Sequence, residues 1–148
     1  MRFFGQFSGH LDAKRRLTVP QAFRNSIGDN ELRKGLVVTR GFDTCLWLFP
    51  ASGWDAAAAE LCRSVFSGAD ARMLERLFLG GAVEVSVDAQ GRIELPAPLA
   101  ERAGISDGAV FVGAGSRIEI WDAARWHSMQ AEAESRFEEL GEAFARRA

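Results

Sequence analysis

The chain carries nearly the same ten-residue phrase twice, and that repeat restricts its fold more than any other feature. Residues 11–20 read Leu-Asp-Ala-Lys-Arg-Arg-Leu-Thr-Val-Pro, and residues 87–96 read Val-Asp-Ala-Gln-Gly-Arg-Ile-Glu-Leu-Pro. Asp12, Ala13, Arg16 and Pro20 recur as Asp88, Ala89, Arg92 and Pro96 at a constant spacing of 76 residues. Apolar positions follow: Leu11 with Val87, Leu17 with Ile93, Val19 with Leu95. Further on the spacing becomes 72, where Leu46-Trp47-Leu48-Phe49 matches Ile118-Glu119-Ile120-Trp121 and Trp54 matches Trp126. The four-residue difference falls in Gly-Asp-Asn-Glu-Leu-Arg-Lys-Gly, residues 28–35, which reads as a loop, where insertions are tolerated. Self-similarity of this kind marks two copies of one supersecondary unit. We place them at 7–54 and 83–126, with a bridge at 55–82 and a tail at 127–148.

Each unit reads as β-β-α-β-β, so the chain belongs to the α+β class. Val83, Val85 and Val87 alternate with Glu84, Ser86 and Asp88, the period of a half-buried strand. Asp-x-x-Gly-Arg reads as a turn, and Ile93-Glu94-Leu95 resumes the alternation, giving a hairpin with a charged tip. Pro96 opens a short helix through Leu99 and Ala103 that Gly104 closes. Ala109–Val112 and Arg117–Trp121 are two further strands. Unit one follows the same order through Val19, Pro20, Phe23, Ile27 and Gly28. A unit of about 45 residues buries little apolar surface alone. The two units need each other, and exchange of hairpins between them meets that need. The strand Cys45–Phe49 is nearly all apolar, as expected of a strand covered on both faces.

The bridge reads as helical, with Trp54, Ala58, Leu61 and Val65 on one face, Ser52 as a candidate N-cap, and Met73, Leu74, Leu77 and Phe78 on a second face stopped by Gly80-Gly81. In the tail, Trp126, Met129, Ala133, Phe137, Leu140 and Phe144 share one helical stripe, weakened at Gly141. The stripe is longer than a domain this small is expected to cover, which favours self-association. No apolar run approaches the ~18 residues of a membrane span, and Met1-Arg2-Phe3-Phe4-Gly5 lacks the apolar stretch of a signal peptide. Two cysteines, Cys45 and Cys62, make neither a disulfide framework nor a cysteine zinc site. A reducing, cytoplasmic setting is expected.

The chemistry sits at the two tips, Asp12-Ala13-Lys14-Arg15-Arg16 and Asp88-Ala89-Gln90-Gly91-Arg92. An arginine on a projecting turn has the fork that fits guanine O6 and N7, and a two-stranded ribbon is narrow enough for the major groove. Gln90 suits adenine; Lys14 and Arg15 suit phosphates or bases. The aspartates contribute differently, because a carboxylate can accept backbone N–H bonds inside its own turn and hold the arginine stem. A single Asp-x-x-x-Arg is an ordinary solvated turn. Its recurrence at the same place in both units, among neighbours that vary, favours a function. The net charge of −2 gives no global basic field. The charge is local instead: residues 10–24 hold four cations against Asp12, and residues 132–142 hold five glutamates against Arg136.

These residues carry a resemblance. The twice-repeated Asp-x-x-Gly-Arg-φ-x-φ-Pro, the Glu119-Ile120-Trp121 strand and Trp126 after it resemble the MraZ family, bacterial cytoplasmic regulators built of two SpoVT-AbrB-like units. The resemblance covers residues 5–145. It implies a swapped-hairpin, AbrB-like β-barrel, a ring-shaped homo-oligomer, sequence-specific binding of double-stranded DNA and a nucleoid-associated location. It also implies control of the gene cluster for division and cell-wall synthesis, including the regulator's own promoter. The family motif falls on Asp12 and Arg16 in unit one and on Asp88, Gly91 and Arg92 in unit two. The candidate DNA-binding set is therefore Lys14, Arg15, Arg16, Gln90 and Arg92, with Asp12, Asp88 and Gly91 shaping the loops. Unit one departs at Arg15, where the family usually has glycine; if that position needs a positive φ, arginine is strained there. Two unequal tips on one chain suit direct repeats on DNA, read by chains joined head to tail.

Catalysis has little to stand on. His10 is replaced by Ser86 in unit two, His127 reads as a helix-surface residue, and Cys45 and Cys62 read as packing groups. Gly113-Ala114-Gly115 lacks the third glycine and following helix of a nucleotide site. No cofactor, metal or enzyme activity is expected. The remaining rival is an antitoxin-type interaction module, since AbrB-like barrels also hold partner proteins, although a helical, amphipathic tail is unlike a disordered wrapping arm.

Overall fold

The computed structural model describes residues 2–147; Met1, and Ala148 at the end of the predicted tail, lie outside the described residues. Its strands are β1 (Gln6–His10), β2 (Arg16–Thr18), β3 (Leu36–Arg40), β4 (Leu46–Pro50), β5 (Val83–Val85), β6 (Arg92–Glu94), β7 (Gly108–Gly113) and β8 (Ile118–Asp122). They form an antiparallel six-stranded sheet in the order β1-β7-β8-β4-β3-β5 and a two-stranded ribbon, β2-β6.

The flanks of each tip were expected to pair with each other, and they do not. Beyond the turn, β1 leaves β2 and pairs with β7 of the other unit over Gln6↔Val112 to His10↔Gly108. Likewise β5 leaves β6 and pairs with β3 of unit one. The reason is the number of rungs on offer. A tip closes on itself with two backbone bonds, Arg15 N–H to Asp12 O and Asp12 N–H to Arg16 O, whereas β7 offers β1 five paired positions. β5 is also shorter than the alternation suggested, ending at Val85 with Val87 half-buried beyond it.

The registers show how the two units relate. Leu17 pairs with its own repeat counterpart Ile93, and Trp47 pairs with its counterpart Glu119. A two-fold axis of the repeat therefore passes through both the β2–β6 and β4–β8 ladders. Around it one core forms from both halves. Leu17, Val19, Phe23, Leu46 and Leu48 pack with Ile93, Leu95, Phe111, Ile118 and Ile120, all fully or almost fully buried. Each such side chain contributes about 1.5–3 kcal/mol relative to exposure, and neither unit could bury these positions alone.

The short helices α1 (Gln21–Ile27) and α5 (Ala97–Ala103) occupy equivalent places, each entered from a proline, Pro20 or Pro96, and each left through a glycine at positive φ, Gly28 or Gly104. Residues 28–35, expected as loop, contain a five-residue helix between them, α2 (Asp29–Arg33). Asp29 and Glu31 at its start and Arg33 at its end suit the helix dipole, and Leu32 gives it a foothold on the core.

The bridge folds into α3 (Ala51–Leu61) and α4 (Ala69–Gly80), which cover the outer face of β3 and β4 through an aromatic stack. Trp54 lies on Phe78 at 5.4 Å, and Phe78 meets Trp47 edge-on at 5.9 Å. β4 is thus covered on both faces. Three expectations need correction. Ser52 lies inside α3 and does not cap it; the strand runs directly into the helix through Pro50, whose ring presets the entry. Val65 lies beyond the end of α3 and is 85% exposed. Gly80 belongs to α4, and Gly81 caps it. In the tail, α6 (Ala123–Ser135) is capped by Asp122, whose carboxylate accepts the Arg125 N–H at 3.1 Å. The expected continuous stripe is broken at Arg136 rather than weakened at Gly141, and α7 (Phe137–Arg147) follows. The Ser135 hydroxyl donates to the Glu132 carbonyl at 2.7 Å and competes with the backbone there. Phe137, Leu140 and Phe144 on α7 are exposed.

Candidate nucleic-acid interface

Both tips are built to one plan. In tip one the Arg15 N–H closes a turn on the Asp12 carbonyl at 3.0 Å, and the Asp12 N–H returns to the Arg16 carbonyl at 3.0 Å. In tip two the Gly91 and Asp88 N–H groups do the same at 2.9 Å each. A turn closed this way needs its last residue at positive φ to re-enter the strand. Gly91 has φ +79° and Arg15 has φ +58°. The position does require the left-handed region, and Arg15 occupies it as a side-chain-bearing residue.

Inside each turn the aspartate holds the loop. One Asp12 oxygen accepts the N–H groups of Lys14 and Arg16 at 2.9 Å each, and the other accepts Arg16 Nε at 2.8 Å. Asp88 repeats the arrangement with Gln90 N–H at 2.9 Å, Arg92 N–H at 2.8 Å and Arg92 Nε at 2.8 Å. The backbone N–H of Arg16 beside Asp12, and that of Arg92 beside Asp88, hold these carboxyls below the ordinary carboxylate range, and the arginine side chains add to the effect. Fixing Nε leaves the outer guanidinium edge of each arginine for a ligand. In tip two Arg92 Nη2 also approaches Gln90 Oε1 at 3.4 Å.

The ribbon sets where these arginines point. Leu17 and Ile93 face the core, so by strand alternation Arg16, Thr18, Arg92 and Glu94 face outward. Arg16 opposes Glu94 and Arg92 opposes Thr18. The two arginines are diagonal neighbours across the ribbon, within reach of long side chains. The tips are also anchored across the axis, since the Leu95 N–H donates to the Arg15 carbonyl and the Val19 N–H to the Gly91 carbonyl, both at 2.8 Å. Lys14, Arg15 and Gln90 are exposed at the turns, and Arg16 and Arg92 half-exposed on the ribbon. The structure thus gathers the five predicted contact residues on one outward ribbon and its two turns.

Sequence comparison agrees with the repeat. The family model described as "MraZ protein, putative antitoxin-like" matches this chain twice, at residues 3–77 and 78–147. The chain belongs to the MraZ family. Its relatives include the transcriptional regulator MraZ of Natranaerobius thermophilus, 39% identical over 95% of this chain and 94% of the relative. The proteins of the same name from Desulforamulus reducens and Limosilactobacillus fermentum are 41% and 39% identical, over 95% and 96% of both chains in each pair.

Two neighbours of the tips escaped the sequence reasoning. Glu94 faces Arg16 across the ribbon. Arg24, on α1, lies against tip two: a Cβ placed on Gly91 would sit 2.5 Å from Arg24 Cζ. The repeat held the signal for Arg24, because its counterpart 76 residues on is Ala100, in the same pair of units where Arg15 faces Gly91. The residues weighed for catalysis are scattered. His10 meets Asp107 at 3.3 Å on the surface, and His127 lies on α6. Cys45 is buried, donates to the Phe42 carbonyl, and has its thiol pushed up to about 12, chiefly by burial and then by the Glu119 charge. Cys62, expected as a packing group, is exposed because α3 ends at Leu61 and releases it. Among the described residues no three His, Cys, Asp or Glu side chains gather where they could hold a metal ion, and no helix is long and apolar enough to cross a membrane.

Proposed function

We propose that this member of the MraZ family is a sequence-specific, DNA-binding transcriptional regulator that reads promoter DNA with the two arginine-tipped turns. The observation that carries the reading is the identical Asp–Arg clamp at both tips, with Arg16 and Arg92 on the same outward face of one ribbon. Two fixed guanidiniums on one face of a ribbon suit a short run of base edges and phosphates in a major groove. Lys14 and Arg15 would add phosphate contacts at tip one, and Gln90 a base contact at tip two. The names of the curated relatives support regulation of transcription.

We read the exchanged strand pairing as an AbrB-like swapped-hairpin barrel formed by units 7–54 and 83–126, braced by the bridge 55–82 and the tail 127–148. The exposed Phe42, Leu74 and Leu77 beside the bridge, and Phe137, Leu140 and Phe144 on the tail, support a ring of chains. Such a ring presents tips at regular intervals, suits direct repeats, and lets weak single contacts act together despite the net negative charge. The expected target is the division and cell-wall gene cluster with the regulator's own promoter, and the expected location is the cytoplasmic nucleoid. Footprinting of purified protein on DNA upstream of its gene, with native mass of the free protein, tests this reading. Protection of evenly spaced direct repeats by an oligomer supports it; no protection at any concentration overturns it. The apolar cleft lined by Phe42, Trp47, Leu61 and Leu74 favours a second reading, an antitoxin-type module, which stoichiometric co-purification of a partner protein without promoter binding would select.

A further inference from the structure

We infer that Arg24 is a fourth guanidinium of the DNA-binding surface, beside Arg15, Arg16 and Arg92, supplying to tip two the cation that Arg15 supplies to tip one. The inference rests on the regulator reading above. The repeat frames it: positions 15 and 91 are counterparts, and so are positions 24 and 100. Unit one has arginine at the turn, with Ala100 at the helix position of the other unit. Unit two has glycine at the turn, with Arg24 at the helix position. Each pair holds one arginine, placed once on the turn and once on the helix.

The structure gives the helix arginine a built seat. Its Nε donates to the Val19 carbonyl at 2.8 Å, which fixes the stem. The guanidinium crosses the backbone of tip two, and the space it fills is the one a Cβ on Gly91 would claim: Cζ, Nη1 and Nε would lie 2.5, 2.6 and 2.7 Å from such an atom. Gly91 is therefore set by two demands, a positive φ and room for Arg24. Among the described residues Arg24 has no carboxylate within ion-pair distance, and its terminal nitrogens make no hydrogen bond. Asp29 and Asp88 line the same surface depression, but the Asp88 carboxylate is already occupied by Arg92 and its own turn. A half-buried guanidinium with a held stem and open outer edge, beside a turn aimed at a polyanion, suits a phosphate oxygen. Phosphate contact, unlike base contact, acts on any duplex sequence.

The experiment measures affinity against salt for the full-length protein on two duplexes, the stretch upstream of its own gene and an unrelated one of equal length. Losing one phosphate contact lowers the slope of log K against log salt by about one per engaged chain and weakens binding about 5-fold at 0.15 M salt. Arg24→Ala is expected to show both changes on both duplexes, with Arg24→Lys largely recovering. Arg24→Ala combined with Gly91→Arg copies the arrangement of tip one and is expected to restore the slope; Arg24→Lys keeps the test open if Arg24→Ala is poorly folded. A wild-type slope in Arg24→Ala, or a loss that neither Arg24→Lys nor the double variant recovers, overturns the inference and leaves Arg24 as a brace for Val19. Failure of the regulator reading looks different: the wild-type protein itself would bind neither duplex in a salt-dependent way.

Discussion

Replacing Gly91 by alanine tests the construction of the tips most directly. The residue sits at φ +79°, where a Cβ costs about 1–2 kcal/mol. Reduced freedom of the unfolded chain returns about 0.5–1 kcal/mol, leaving a net backbone cost of about 1 kcal/mol. The new methyl would also lie 2.5 Å from Arg24 Cζ, so Arg24 must swing away and lose its 2.8 Å bond to the Val19 carbonyl. That adds about 1 kcal/mol, for a total destabilisation of about 2 kcal/mol. For a chain of this size the Tm should fall by about 4–8 °C. In an Arg24→Ala background only the backbone cost remains, so the double-mutant cycle should return a coupling of about 1 kcal/mol. Circular dichroism melts and urea titrations of the four proteins, at one protomer concentration because assembly contributes to stability, measure both quantities. A Gly91→Ala cost below about 0.5 kcal/mol, or a coupling near zero, would refute the claim that glycine is there to seat Arg24.

Arg16→Ala and Arg92→Ala should each weaken binding to the upstream duplex about tenfold or more, by loss of a bidentate contact, with Tm unchanged; gel shifts and melts decide it. Because the folded-state pKa of Asp12 and Asp88 lies below the ordinary value of 3.8, their stabilisation of the tips is complete above that value and is lost as pH falls through the lower folded value. The Arg16 and Arg92 Nε–H signals in an NMR titration should therefore persist through pH 4 and broaden only below it, and Asp12→Asn with Asp88→Asn should remove that transition. In the native protein a maleimide should label one thiol, the exposed Cys62, while buried Cys45, with its thiol raised to about 12, reacts only after unfolding. Labelling of both at equal rates would contradict the packing of β4. Phe137, Leu140 and Phe144 each changed to serine should lower the native mass if the exposed face of α7 joins chains.

Much of this was legible in the sequence for one reason: the repeat is compared with itself, so matched residues stand out without any other chain. The α1 and α5 boundaries followed from Pro20, Pro96 and Gly104. The Asp–Arg clamp followed from the turn chemistry of Asp12 and Asp88, whereas a positive φ at position 15 was raised only as a condition, from the glycine usual in the resembled family, and the structure supplied it. Errors arose where the outcome depended on competition. Ser52 is a good cap in isolation, but Pro50 had already started α3. The alternation through Val87 is a good strand pattern, but β3 offers partners only as far as Val85. The 28–35 insertion has loop composition, yet Leu32 found apolar surface to pack on.

Sequence alone determined the local chemistry: the turn shape, the carboxylate that fills it, the arginine it holds, and the presence of two such turns. These depend on neighbours within five residues. Which strand each tip's flanks would join was decided only by the assembled molecule. A flank of five residues can pair with any antiparallel edge of matching polarity, and the choice goes to the arrangement that buries Leu17, Ile93, Leu46 and Ile118 around one axis. The same closure places Arg24 over a turn 67 residues away, a contact that no local spacing encodes.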